Sequence, residues 1–235
     1  MKISDLMKLQ YNSGNIKNPN VHKIGVIALG SHLENHGPAL PIDTDAKISS
    51  YIALESALQS GAKFLGVIYP AYEIAEINHG IHNSLEELVD YIINTIKLAV
   101  KYLYIEKIVI INGHGGNLEL SRHLEKIEDE TDTFIILNNH IISAEGPHGG
   151  SGELSMGKVL GIIDESEIKN QTNLEEYGEV GLHKFKKARQ KDPGIEESAK
   201  KIENEGVYVD EVYGKQLLNL GVNSVLFDIE KLLDI

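Results

Sequence analysis

The stretch Lys107-Ile-Val-Ile-Ile-Asn-Gly-His-Gly-Gly-Asn117 decides the architecture. Ile108 to Ile111 are apolar and β-branched without alternation, which is how a strand buried on both faces reads. The run ends in a glycine-rich turn. Beyond it, Leu120, Leu124 and Ile127 recur at helical spacing. A buried strand, a tight turn and an amphipathic helix, in that order, form the repeating unit of a parallel sheet. Three more runs read the same way: Lys23-Ile-Gly-Val-Ile-Ala-Leu29, Lys63-Phe-Leu-Gly-Val-Ile-Tyr69 and Thr133-Phe-Ile-Ile-Leu-Asn138. Helix-length segments separate them. The expected fold is α/β, a mostly parallel central sheet with helices on both faces.

The helices between these runs carry their own end signals. One is predicted from about Asp45 to Ser60, closed by Gly61 as a C′ residue. A second starts near Ser84, where Ser84 and Glu87 have capping-box spacing. It runs to about Tyr104 with Leu88, Ile92, Ile96 and Val100 on one stripe. A third follows Asn117, and a fourth spans Glu153 to Ile163. Asp192-Pro193-Gly194 reads as a turn, Ile195 to Glu205 as an amphipathic helix, and Lys215 to Leu220 as part of a last helix. With 235 residues, no internal repeat and no low-complexity linker, residues 1–235 read as one domain.

Composition limits the chemistry. The chain has no cysteine, so disulfides, thiolate metal ligands and a cysteine nucleophile are all ruled out. A transition-metal site must draw on Asp, Glu and the ten histidines. The net charge of −13 argues against a nucleic-acid partner, since neutralising phosphates takes clustered Lys and Arg. Residues Met1 to Asn20 are polar, and no run approaches the ~18 apolar residues of a membrane span. The expectation is a cytoplasmic protein with no membrane partner.

Two segments place metal-ligating side chains directly after predicted strands, at the edge where open α/β sheets build their sites. The first is Gly30-Ser-His-Leu-Glu-Asn-His-Gly37 with Leu40-Pro-Ile-Asp-Thr-Asp45. Glu34 and His36 are two apart, so in extended backbone their side chains share a side. Asp45 opens a helix, where its charge suits the dipole. The second is Asn112 to Asn117, with His114 between glycines that allow close backbone approach. A third segment, Pro147-His-Gly-Gly-Ser-Gly-Glu153, follows the last strand and offers His148 and Glu153. Each alone has an innocent reading: a helix-capping polar loop for the first, a phosphate loop for the second and a flexible surface loop with a capping Glu for the third. Together they point to a thiol-free site for zinc, manganese or iron(II).

These motifs resemble the creatininase family of metal-dependent amidohydrolases. The family pattern Glu-x-His-Gly-Pro-x-Leu-Pro-x-x-Thr-Asp is met by Glu34 to Asp45, Asn-Gly-His-Gly-Gly-Asn by Asn112 to Asn117, and the later His and Glu by His148 and Glu153. The resemblance spans about residues 24–165. It implies two divalent metal ions, iron(II) first with zinc or manganese as alternatives. Glu34 and His36 would each bind one ion, Asp45 would bridge, and His114 would complete the first site. The family's second carboxylate lies two residues after the histidine. Here that position is Gly116, and the role passes to Glu153. His148 would donate a proton to the leaving nitrogen.

Asn78-His-Gly-Ile-His-Asn-Ser-Leu85 and Asp43 depart from most relatives. They resemble an archaeal subgroup that removes formate from a formylaminopyrimidine nucleotide on the route to flavin and deazaflavin coenzymes. His79 and His82 are then candidate substrate contacts. Asn117 is another, and the Gly149–Gly152 turn and the helix start after Asn117 are candidate phosphate nests. A homo-oligomer, dimer or higher, is implied as well. Two rivals stay open. One is cleavage of another cyclic amide or small peptide; creatinine itself fits poorly, because creatininase surrounds it with tryptophans and this chain has none. The other is a non-catalytic metal- or nucleotide-binding protein, although no Gly-Lys-Ser/Thr follows the glycine turn.

Overall fold

The computed structural model describes residues 18–31 and 33–235. Expectations for the polar N-terminal segment before residue 18, and for His32, lie outside the described residues. The four apolar runs form the strands β1 (Ile24–Leu29), β2 (Lys63–Ile68), β3 (Lys107–Asn112) and β4 (Phe134–Asn138). They make one parallel sheet in the order β2-β1-β3-β4. Leu29 pairs level with Asn112, and Ile111 with Asn138. The carboxyl ends of the three strands therefore finish along one edge. The chain leaves β1 for β2 on one side, then returns to place β3 on the other. The switch point lies between β1 and β3, where a ligand crevice is expected.

Helices cover both faces. Val26, Ala28, Val109 and Ile111 point into one core with α1 (Thr44–Ser60), α5 (Ser151–Leu160) and α8 (Glu211–Leu233). Ile27, Leu29, Ile108 and Ile110 point into the other, against α2 (Leu85–Leu103) and α3 (Leu124–Thr131). This alternation along each strand is the two-residue period of the pleat. Burial of each such aliphatic side chain is worth ~1.5–3 kcal/mol, and β1 is buried along its whole length.

The helix ends follow their local chemistry. α1 closes at Gly61 with φ 88°, a left-handed conformation that glycine adopts without penalty. α2 opens on a complete capping box: Ser84 accepts from the Glu87 N–H, and Glu87 accepts from the Ser84 N–H. Two expectations need correction. Asp192-Pro193-Gly194 is the start of α7 (Pro193–Glu205), not a free turn: Asp192 is the N-cap, accepting from Gly194 N at 2.7 Å, and the fixed φ of Pro193 suits the first helical position. The helix after the glycine turn begins earlier, as a 3-10 helix over Gly115–His123, before continuing as α3. The expected last-helix stretch, Lys215 to Leu220, lies within α8. α8 packs Leu217, Leu218, Val222, Val225, Ile229 and Leu232 onto the sheet and α1. Two short helices, α4 (His140–Glu145) and α6 (Lys186–Lys191), complete the chain. Among the described residues, no helix is long and apolar enough to cross a membrane.

Candidate metal centre

Three loops meet beyond the carboxyl edge of the sheet. The loop after β1 carries Glu34 and His36 and runs into α1 at Asp45. It is tied to the loop after β2 by a short antiparallel pairing: Asn35 N donates to His79 O at 3.0 Å, and Ile81 N to Leu33 O at 3.2 Å. This brings His79 against Glu34. The loop after β3 presents His114 from extended backbone. The segment after α4 adds His148 and Glu153. Gln171, fully buried, locks the first and last of these together. Its amide nitrogen donates to the carbonyls of His36 and Gly149 at 2.6 and 2.7 Å, and its oxygen accepts from Ala39 N.

All four residues first expected as ligands converge. His36 Nε2 lies 2.7 Å from Asp45 Oδ1, and His114 Nδ1 lies 3.3 Å from Asp45 Oδ2 and 2.8 Å from Glu34 Oε2. Asp45 thus turns one oxygen to each histidine. Glu34, His36 and Asp45 offer ligand atoms all within 4.8 Å of one another, as do His36, His148 and Glu153. Glu34, Asp45, His148, Glu153 and His114 line one cavity of about 330 Å³, together with Glu73 and Glu145. That volume suits a small-molecule ligand.

Each of these imidazoles is oriented from behind. His36 Nδ1 donates to Glu34 O at 3.0 Å, His114 Nε2 to Tyr72 O at 3.1 Å, and His148 Nε2 to Asn35 O at 2.9 Å. A histidine whose far nitrogen is held by a carbonyl presents the other nitrogen, unprotonated, to an ion. Several buried polar atoms have no hydrogen-bond partner among the described residues: Glu34 Oε2, His79 Nε2 and His82 Nε2. Glu34 Oε2 and His79 Nε2 do have charged neighbours at 2.8 and 2.9 Å, but not in hydrogen-bonding alignment. Buried polar atoms left in this state, in an all-nitrogen-and-oxygen donor set, fit a divalent transition ion.

The charges of the metal-free site tell the same story. Burial pushes the Glu34 carboxyl up, but His114 and His148 outweigh it and hold it well below the usual carboxylate range. Burial pushes His36 down, yet Asp45 and Glu153 carry it up to about 10. His114 behaves likewise, raised well above its ordinary value against burial by Glu34 and Asp45. Burial, with Asp45 nearby, raises Glu153 to about 8. Burial, then Glu153 and Asp45, raises Glu145 well above its ordinary value. In the absence of a cation, protons hold these carboxylates together.

The remaining candidate contacts surround this cluster. Asn117 is fully buried: its oxygen accepts from Tyr72 N at 2.9 Å and its amide nitrogen faces Asn112 Oδ1 at 3.3 Å, so it braces the loops from behind. In the Gly149–Gly152 turn, Gly149 N donates to Glu153 Oε2 at 2.7 Å and Gly150 N to Pro147 O at 2.9 Å, so these two N–H groups are already engaged. His79 Nε2 lies 2.9 Å from Glu34 Oε1, and His82 joins Glu34, Glu73 and His114 within 4.8 Å. The glycines around His114 give space instead of left-handed backbone. A Cβ at Gly113 would stand 2.7 Å from Asp45 O, while Gly115 has open room. Sequence reading missed Glu73, Glu145 and the cavity wall from Asp192, Ile195 and Ser198. Glu73 had a usable signal, a carboxylate soon after the end of β2. The α7 wall had none.

The family profile described as creatininase, creatinine amidohydrolase, matches residues 14–210. The 2-amino-5-formylamino-6-ribosylaminopyrimidin-4(3H)-one 5'-monophosphate deformylase of Methanobrevibacter smithii is 67% identical over 229 residues, 97% of this chain and 100% of that protein. The deformylase of the same name from Methanocaldococcus infernus is 41% identical over 225 residues, 96% of this chain and 99% of that one. Among solved structures, a mutant creatininase of Zn-Zn type has a TM-score of 0.63 at 12% identity, covering 89% of this chain and 90% of its own. A creatininase described with Mn has a TM-score of 0.59 at 14% identity, covering 89% and 91%. At such identities the solved structures speak for the fold alone.

Proposed function

The chain belongs to the creatininase family, and from that membership we propose that it hydrolyses the formamide of 2-amino-5-formylamino-6-ribosylaminopyrimidin-4(3H)-one 5'-monophosphate. The products are formate and the diaminopyrimidine nucleotide, on the way to riboflavin and deazaflavin coenzymes. One observation carries the reading: full-length similarity to proteins named for that reaction.

Two divalent ions, iron(II) first with zinc or manganese as alternatives, would be held by Glu34, His36, Asp45, His114 and Glu153. When bound, they supply a Lewis acid for the formyl oxygen and lower the pKa of water from ~15.7 toward ~7. The protein supplies the rest. Asp45 spans the two histidines and fixes the spacing of the donors. His148, anchored by Nε2 on the Asn35 carbonyl, turns Nδ1 toward Glu34 Oε1 at 3.8 Å. Burial and the charge of His36 hold its pKa well below the ordinary value, so Nδ1 starts unprotonated. It takes a proton as water attacks the formyl carbon. It returns that proton to the nitrogen as the C–N bond breaks, so an amine leaves and not an amide anion. His79, edge-on to His148 with centroids 4.8 Å apart, is assigned to the formyl end of the substrate. Leu118, Ile142, Leu182 and Ile195 line the cavity and give the pyrimidine apolar walls. We take the chain as one hydrolase domain, working in the cytoplasm as a homo-oligomer, with no nucleic-acid partner.

Anaerobic assay of formate release from the formylated nucleotide, with iron(II), manganese and zinc supplied one at a time, tests this. Release with at least one metal is expected. No release with any of them, or faster turnover of creatinine, would overturn the assignment.

A further inference from the structure

We infer that Glu73 and His82, both on the segment between β2 and α2, complete with Glu34 and His114 a four-donor site for a divalent transition ion. The inference rests on the reading that this cavity holds metal, and it adds ligands which neither the sequence motifs nor that reading includes.

Glu34, Glu73, His82 and His114 each offer a ligand atom, all within 4.8 Å of one another. No other such group among the described residues has four members. Glu73 Oε2 lies 3.5 Å from His114 Nε2, and its side chain is 7% exposed. Its other oxygen is held by Ile74 N at 2.6 Å, which fixes the carboxylate in place. The rings of His82 and His114 stack at 5.5 Å and 17°. Two atoms of the group, Glu34 Oε2 and His82 Nε2, are buried with no hydrogen-bond partner among the described residues, and Glu34 is 1% exposed. Orphaned buried donors pointing into a cluster of this kind are what an ion would satisfy.

Gly116 explains how Glu73 comes to be there. A Cβ at residue 116 would stand 2.2 Å from Tyr72 O, 2.7 Å from His114 Nε2 and 3.0 Å from Glu73 Cα. The Tyr72–Glu73 backbone fills the space a side chain at 116 would need, and Glu73 then supplies a carboxylate beside His114. Asn117 holds this strap by accepting from Tyr72 N, and Tyr72 pairs with Asn83, next to His82. The donor set of two imidazoles and two carboxylates suits zinc, iron(II) or manganese better than calcium or magnesium.

The test uses chelator-stripped full-length protein titrated with zinc alone, with metal content and affinity read by mass spectrometry and competition with a chromophoric chelator. Glu73→Gln and His82→Gln should each weaken one equivalent of zinc by at least about tenfold, the loss seen on disturbing even an outer partner of a ligand. The other equivalent should stay unchanged. If both variants bind as the wild type does, the inference is overturned while the metal reading stands. A wild type that retains no transition ion overturns both. Should a variant fail to fold, wild-type protein labelled with ¹⁵N-histidine decides. Zinc must move the His82 ring signal together with that of His114, and an unmoved His82 overturns the inference.

Discussion

Asp45 is the residue on which most of the site turns. Its two oxygens face His36 at 2.7 Å and His114 at 3.3 Å. Asp45→Ala removes both contacts, so metal content by plasma mass spectrometry should fall; full metal content would contradict a bridging role. His148 makes a contrasting case. His148→Ala should keep its metal while kcat falls by ~10²–10⁴-fold, the usual worth of a general acid–base group. An unchanged kcat would remove His148 from the chemistry. The convergence of Glu34, His36, Asp45 and His114 was legible because each follows a strand within a dense motif. Glu73 and Glu145 stand in no motif. Only the pairing of the loops after β1 and β2, and the fold of α4 onto α5, brings them inward.

At the scale of elements, local chemistry accounts for where the chain turns. The capping box of α2 satisfies two N–H groups that the helix cannot satisfy itself. Ser84→Ala should therefore cost about 1 kcal/mol, measurable as a shift in the urea midpoint at unchanged slope. No shift would mean the cap is replaced by water. Ile92 is fully buried between α2 and the sheet, and Ile92→Ala should cost ~2–5 kcal/mol by leaving a cavity. The same helix was visible in advance, because its apolar stripe and its cap agree. α8 was not. Its buried positions recur at i, i+3 and i+4, but they include Gly214, Gly221 and Asp228, while Leu220 and Phe227 lie exposed, so the apolar stripe is blurred in the sequence. Asp192-Pro193-Gly194 misled for a related reason. The same residues that make turns also start helices, and here the Asp192 cap and Pro193 in the first turn begin α7 directly.

Across the whole molecule, the buried cluster ties stability to pH and to metal. Stripped of metal, Glu153 titrates at about 8 instead of 4.5, chiefly through burial, and His36 at about 10 instead of 6.5, because Asp45 and Glu153 outweigh burial. Both folded-state values are raised, so the native chain binds more protons than the unfolded one between those limits. Its stability must then fall as pH rises, from Glu153 up to about 8 and from His36 up to about 10. The melting temperature of chelated protein should drop between neutral pH and about 10. Metal-loaded protein, in which cations replace those protons, should hold its melting temperature over the same range. A flat profile for the chelated protein would mean the cluster is not protonated as the burial implies.

The amino-acid sequence alone determined the parallel α/β frame, the helix ends at Gly61 and Ser84, the absence of thiol chemistry and four residues, Glu34, His36, Asp45 and His114, as candidate metal donors. All of these depend on residue type and short-range spacing, which a chain carries in any conformation. Only the tertiary structure decided which distant side chains share the cavity: Glu73 and His82 beside His114, Glu145 behind Glu153, Gln171 tying His36 to Gly149, and the α7 wall. The physical reason is that strand order and register set those distances. Separate loops meet at one sheet edge because β1, β3 and β4 end level there, and no local pattern along the chain encodes that alignment.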